Sequence, residues 1–305
     1  MMKDTKYLIL TYHKDAYFFP YLKEDDIVVC EPIKNKSSLM RLLFRIPFLC
    51  LLSYAFLREL RKADKVIIFD SAYNVWLGRY LKYKKGQNVF LYFWNPVKKM
   101  YPKNGDLMVA NAKKIMPVFS FDHDDCKKYE IEYRPMVYSS DVKKSLVNKA
   151  NQEYDVFFLG WKKDRSKQIE KLYNDVFRGK FKCLFILVGD EDKVVDDSII
   201  YTTQRVAYSK YLEYVQNSRA ILDIPQEGQE GLTIRNVECL FLKKKMITTN
   251  SKIRNYDLYN ENNVYIIPER NGREGLMQFL ANKPKDPSET VLKKYDFINW
   301  VETFA

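Results

Sequence analysis

The stretch Gln229–Glu238 sets a glycine, a hydroxyl, a permanent cation and a carboxylate close together. Ahead of it, Ala220–Ile224 reads as a buried strand, and behind it Val237–Leu242 reads as an amphipathic helix. A glycine turn that feeds a helix N-terminus offers backbone N–H groups and the positive end of the helix dipole, which suits phosphate oxygens. Gln229 leads into the turn and Gly231-Leu232 forms it, while Thr233 would add a hydroxyl donor and Arg235 a bidentate cation. Glu238, about one turn beyond Arg235, is placed to accept from a ribose diol, as the acidic residue of dinucleotide folds does. These are the parts needed for a nucleotide diphosphate. The same residues also fit a plainer arrangement, in which Gly231-Leu232 is a helix cap and Arg235 with Glu238 an i,i+3 surface ion pair.

Short apolar runs alternate with helical segments along the chain. Tyr7–Tyr12, Ile27–Cys30, Lys65–Asp70, Asn88–Trp94 and Val118–Phe121 read as strands in the first half. Tyr154–Gly160, Cys183–Gly189, Met246–Thr249 and Asn263–Ile267 join Ala220–Ile224 in the second. None shows clean polar alternation, as expected when helices cover both faces of a parallel sheet. The polar run 144–153 reads as a linker. It separates residues 1–143 from residues 154–285, and a helical tail, 286–305, follows.

The run Leu-Asp-Ile…Gln-x-Gly-Leu-Thr-x-Arg-x-x-Glu-x-Leu…Lys-Lys-x-Ile-Thr-Thr-Asn resembles the C-terminal half of bacterial GT-B glycosyltransferases, those of capsule, O-antigen and lipooligosaccharide assembly. The resemblance covers residues 155–270 well and the first half only loosely. It implies an α/β GT-B fold, with two Rossmann-like domains whose parallel sheets face a central cleft, an acceptor domain first and a nucleotide-sugar domain second. It also implies a tail helix that crosses back. The implied activity is metal-independent transfer of a sugar from a nucleotide-diphosphate sugar, a UDP-sugar foremost, to a lipid-linked bacterial surface glycan. Glu230 and Glu238 fit the Glu-x7-Glu spacing of retaining members, but Gly231-Leu232 is out of register with that motif's glycines, so the stereochemistry stays open.

Open α/β sheets gather ligands at the carboxyl ends of their strands. Gly160, Lys162 and Arg165 lie at one such end and Gly189 at another, giving a second candidate for the diphosphate whose cations would stabilise a departing phosphate. A solvated basic loop is the alternative. His13, Asp70 and Asp122 follow strands of the first half and are candidates for the base that removes an acceptor proton, with His123 a further rival. Trp94 and Asn95 would stack on and hydrogen-bond an acceptor sugar, or else close the sheet edge. Asp122-His123-Asp124-Asp125-Cys126 holds metal-binding residue types, yet neighbours in sequence point different ways, so no metal is expected.

The chain has 305 residues, 47% of them hydrophobic, enough for two cored domains and against intrinsic disorder. A net charge of +12 calls for an anionic partner. No nucleic-acid module is recognisable, so nucleic acid is not expected. The five cysteines form no C-x-x-C pair, and most of them read as inert core residues of a reducing compartment. A charged start with no apolar core after it reads as cytoplasmic. Residues 39–62 carry an apolar run flanked by arginines, too short to span a bilayer, which fits a crossover helix or a contact with the inner face of the plasma membrane. Two rival functions remain: a non-catalytic basic module for polyanions or membranes, and a nucleotide-sugar epimerase of the same fold.

Overall fold

The computed structural model describes residues 5–33, 52–146, 151–162, 165–225, 231–267 and 272–304. The chain divides into two compact α/β units, one of Met1–Pro135 with Ile298–Ala305 and the other of Met136–Phe297.

In the first unit, β1 (Tyr7–Leu10), β2 (Ile27–Cys30), β3 (Lys65–Phe69), β4 (Val89–Phe93), β5 (Val118–Ser120) and β6 (Glu132–Tyr133) form one sheet in the order β2-β1-β3-β4-β5-β6. Every pairing is parallel. Three helices, α1 (Tyr54–Lys62), α2 (Val75–Lys85) and α3 (Gly105–Lys113), cover one face. Their apolar stripes (Phe56 and Leu60, Leu77 and Leu81, Val109 and Ala112) enter one core with Leu8, Ile68 and Leu91. Polar caps set where α1 and α2 begin: Ser53 Oγ accepts from Phe56 N at 3.1 Å and Asn74 Oδ1 from Leu77 N at 2.9 Å. The other face is closed by the end of the chain. The Trp300 ring lies 4.7 Å from that of Tyr92, and Phe304 packs 5.0 Å from Phe119. Lys65 Nζ ties this segment down by donating to Phe304 O at 2.6 Å.

The second unit holds β7 (Tyr154–Trp161), β8 (Cys183–Val188), β9 (Lys193–Asp196), β10 (Ile199–Thr202), β11 (Ser218–Asp223), β12 (Lys245–Thr248) and β13 (Val264–Ile266). Their order is β13-β12-β11-β7-β8-β10-β9, parallel except for the edge hairpin β9–β10. Four of its helices matter below or hold its edge: α4 (Ser166–Leu172), α5 (Tyr208–Gln216), α6 (Ile234–Leu242) and α7 (Gly272–Ala281).

The α/β architecture with two parallel sheets is the one expected. Three strands were not anticipated: β6 is two residues long, and the β9–β10 hairpin is short with exposed, charged Lys193 at its edge. The passage between units also differs from expectation. Met136–Asp141 belongs with the second unit, because Val137 and Tyr138 are buried there and Tyr138 N donates to Tyr295 O at 3.0 Å. Residues 147–150 of the expected linker and residues 39–51 of the apolar run lie outside the described residues.

The terminal segment therefore covers the sheet face opposite the three helices. Trp300→Ala should lower the unfolding free energy by about 3–5 kcal/mol, the usual loss for a large buried aromatic. Urea denaturation measures it, and a loss below about 1 kcal/mol would show that the segment is not needed to hold that face.

Candidate functional site

In the second unit the site begins with a missing side chain. A Cβ added at Gly160, near the end of β7, would lie 2.7 Å from Arg165 Nη2, 2.9 Å from Arg235 Nη2 and 3.0 Å from Phe158 Cζ. Two guanidinium groups thus meet over one glycine. Both also lie over the Phe158 ring, with Cζ at 5.3 Å for Arg165 and 5.1 Å for Arg235, which offsets part of their charge. Backbone carbonyls also hold them. Arg165 donates to Ile224 O at 2.7 Å and Trp161 O at 3.2 Å, and Arg235 Nη2 donates to Leu159 O. Arg235 Nε is buried with no hydrogen-bond partner. Two adjacent cations and an unsatisfied buried donor form a site electrostatically suited to a multivalent anion.

The start of α6 is fixed from below by Asp223 at the end of β11. Its carboxylate accepts from Thr233 Oγ1 at 2.8 Å, Asn236 Nδ2 at 3.1 Å and Thr248 Oγ1 at 3.1 Å. Asn236 Oδ1 in turn accepts from Thr233 N at 2.6 Å. Thr233 therefore spends its hydroxyl on the strand below instead of offering it to a ligand, a correction to the role expected for it. Leu232 is buried as an apolar plug, Gly231 is buried beside it, and Gln229 lies outside the described residues.

Glu238 also differs from expectation. It is only 2% exposed, and its two oxygens accept from Tyr208 and Tyr211 hydroxyls at 2.6 Å each. Tyr138 Oη lies 2.7 Å from Tyr208 Oη and extends the chain. Burial raises the Glu238 pKa, against the lowering effect of the two phenols and Arg235. Helical spacing explains the change, because Glu238 falls on the same buried stripe as Val237, Phe241 and Leu242. Arg235 faces the other way, toward Leu159, so the pair is not the surface ion pair that spacing alone allows. Tyr208 and Tyr211, three residues apart on α5, and Phe158 were not singled out from sequence. Their only signal is placement, since tyrosines and phenylalanines abound in the core.

Lys162 lies beside this cluster and its stem packs on Gly189, where an added Cβ would come within 3.0 Å of Lys162 Cδ. Its ammonium pairs with Asp190 at 3.1 Å and Glu191 at 2.7 Å, and these bonds raise its pKa.

In the first unit, the carboxyl ends of β1, β3 and β4 bring several expected residues together. Asp70, 2% exposed, accepts through Oδ2 from Asn95 N at 2.7 Å, Trp94 N at 3.1 Å and Asn95 Nδ2 at 3.1 Å. Burial pushes its pKa up to about 6 despite these bonds. The neighbouring Ser71 Oγ lies 3.2 Å from Thr11 Oγ1 and accepts from Tyr12 N at 3.3 Å, and Thr11 Oγ1 accepts from His13 N at 3.1 Å. His13 is exposed on the turn after β1, its ring 5.9 Å from that of Tyr17. Tyr17 holds a left-handed backbone (φ 55) and stacks toward Trp94 at 5.7 Å. A bulky residue in that region is an outlier, often found at functional sites. Phe18, Phe19 and Phe69 wall in the remainder of Trp94.

Asp122 is elsewhere and otherwise employed. Its Oδ1 accepts from Asp124 N at 2.9 Å and Asp125 N at 3.2 Å, capping the helix His123–Tyr129, so it is a cap and not a free base. His123 stacks on Tyr133 at 4.1 Å. Among the described residues no group of three or more His, Cys, Asp or Glu side chains could hold a metal ion.

No protein-family model matches the chain, and no curated protein matches it by sequence. Solved structures do. A DNA-modifying β-glucosyltransferase, studied with and without its substrate uridine diphosphoglucose, superimposes with a TM-score of 0.52 at 13% identity, over 98% of this chain and 95% of that one. An α-glucosyltransferase in complex with UDP and a 13-mer DNA containing a HMU base gives 0.55 at 12% identity, over 99% and 94%. The T4 phage β-glucosyltransferase gives 0.51 at 13%, over 98% and 95%. The likeness shows the fold, the two-domain Rossmann-like α/β architecture of GT-B glycosyltransferases.

Asp70 generates a pH prediction. Its folded pKa lies above the value of about 3.9 for an unfolded carboxyl, so its contribution to stability is full below that value and is lost as pH rises through about 6. Measured by urea unfolding across that window, wild type should lose stability relative to Asp70→Asn. A constant difference between the two would mean that Asp70 does not titrate there.

Proposed function

We propose that the chain is a glycosyltransferase that uses a nucleotide-diphosphate sugar, a UDP-sugar foremost, as donor. One observation carries the reading: Arg165 and Arg235 converge over Gly160 with a buried Arg235 Nε left unsatisfied. A diphosphate supplies negative charge for both guanidinium groups and an acceptor oxygen for Arg235 Nε. In glycosyl transfer, negative charge builds on the departing diphosphate as the sugar carbon becomes positive, and fixed guanidinium groups stabilise that charge most at the transition state. Lys162 is a third cation within the same sheet end, available once it leaves Asp190 and Glu191. The fold likeness to UDP- and uridine diphosphoglucose-binding glucosyltransferases supports the same donor class.

On the first unit, Asp70 is the group we assign to take the acceptor hydroxyl proton. Its pKa of about 6 leaves it ionised, yet proton-seeking, near neutral pH. His13 is the rival base. The acceptor we assign is the one that the sequence resemblance implies, a lipid-linked surface glycan met at the inner face of the membrane. A second reading, transfer to a nucleic acid, draws on the net charge of +12 and on the DNA named with the structural likenesses.

A thermal-shift panel of UDP, GDP, CMP and dTDP with their sugars tests the donor site. A selective ligand at about a hundredfold over its Kd should stabilise by about 2.7 kcal/mol. Arg235→Ala should weaken that ligand by about tenfold or more, as expected for a lost charge-assisted bond. Equal shifts with every polyanion, unchanged in the variant and removed by salt, would sink the transferase reading in favour of a non-catalytic basic module. Label from the donor recovered in lipid extract or in DNA then separates the two acceptors.

A further inference from the structure

The face that α1, α2 and α3 turn away from the first sheet is the most aromatic exposed surface among the described residues. Tyr54 on α1 is 73% exposed, Trp76 and Tyr83 on α2 are 67% and 82%, and Leu107 on α3 is 63%. Their neighbours Phe56, Leu77, Leu81 and Val109 fill the core beneath, so these side chains are not surplus core residues. The three helices lie side by side on that sheet face, and Lys85 at the end of α2 donates to Ala63 O at the end of α1.

On α2, Trp76, Arg79, Tyr83 and Lys84 are exposed, while Tyr80 between them leans on the core. Arg79 lies over the Trp76 ring at 5.8 Å, and Lys84 over Tyr83 at 5.1 Å. The helix has no acidic residue. The acidic residues of its neighbours, Glu59 on α1 and Asp106 on α3, are both already in ion pairs, with Arg58 and with Lys128. The surface therefore presents aromatic rings and cations in one layer, with its own carboxylates already neutralised.

We infer that this face docks on an anionic lipid bilayer. Tyrosine and tryptophan settle at headgroup depth, where one edge is apolar and the other wet, and arginine and lysine beside them meet lipid phosphates. Shape favours a lipid surface over nucleic acid. The three helices form a broad packed layer and are held along their length by the sheet, whereas single strands are bound in grooves and duplexes by an element that enters one. The inference deepens the reading of an acceptor met at the membrane and is independent of the donor site, since none of these residues belongs to that site.

Vesicle pelleting tests it, with phosphatidylcholine alone and with about one-third phosphatidylglycerol. Binding should require the anionic lipid. Arg79→Ala/Lys84→Ala should reduce partitioning by about fivefold per cation removed, and Trp76→Ala/Tyr83→Ala should reduce it as well. All four side chains lie on the helix's outer side, so the thermal midpoints should stay unchanged and exclude misfolding as the cause. No binding to the anionic vesicles overturns the inference. Binding that survives both double substitutions overturns it for this face. A single-stranded oligonucleotide bound more tightly than vesicles, and lost with the same substitutions, reassigns the face to nucleic acid.

Discussion

Two guanidinium groups forced toward one point is the constraint around which the second unit is built. Arg165 and Arg235 come from different elements, and like charges that close repel unless something offsets them. Three backbone carbonyls and the face of Phe158 provide that offset, and glycine at position 160 provides the space. Each partner is rigid. Phe158 and Leu159 belong to β7, Ile224 follows β11, and Arg235 is in the first turn of α6, whose start is pinned by Asp223. Arg235 is thus fixed by its helix, while Arg165, in the segment between β7 and α4, is held by the carbonyls of Trp161 and Ile224.

The first unit uses one buried carboxylate in a comparable way. Asp70 fixes the chain after β4 by accepting three N–H groups, and a buried acid that does so positions Trp94 and Asn95 whether or not it also moves a proton. Its raised pKa shows that desolvation outweighs those bonds. Tyr17, bent into the left-handed region beside Trp94, adds an aromatic wall at the same strand ends.

Positive charge is spread over the molecule in two manners. At the end of the second sheet it is concentrated, partly buried and tied to backbone carbonyls. On the helices of the first unit it is exposed and interleaved with aromatic rings. The former can discriminate geometry, because buried cations are fixed in direction. The latter is screened by salt and reads charge density more than shape.

Much of the fold was legible in the sequence, because strands covered on both faces must be apolar throughout and the helices between them must show a stripe. The runs at Leu8, Ile67, Phe90, Phe157, Phe185, Ile221 and Ile247 carry that signal unaided, and Gly160 with Arg165 and Arg235 stood out by residue type. β6 and β9 were hidden because edge strands are short and need little apolar content, and β10, one strand in from the edge, is only four residues long. What tertiary structure alone decided was which way each polar group turned. Sequence places Thr233, Arg235 and Glu238 on one helix, but neighbours from other strands and helices set their partners: Asp223 takes the hydroxyl, Leu159 O the guanidinium, and Tyr208 with Tyr211 the carboxylate. Those partners lie up to 76 residues away in the chain, and a hydrogen bond between distant residues leaves no periodic trace in the sequence around either one.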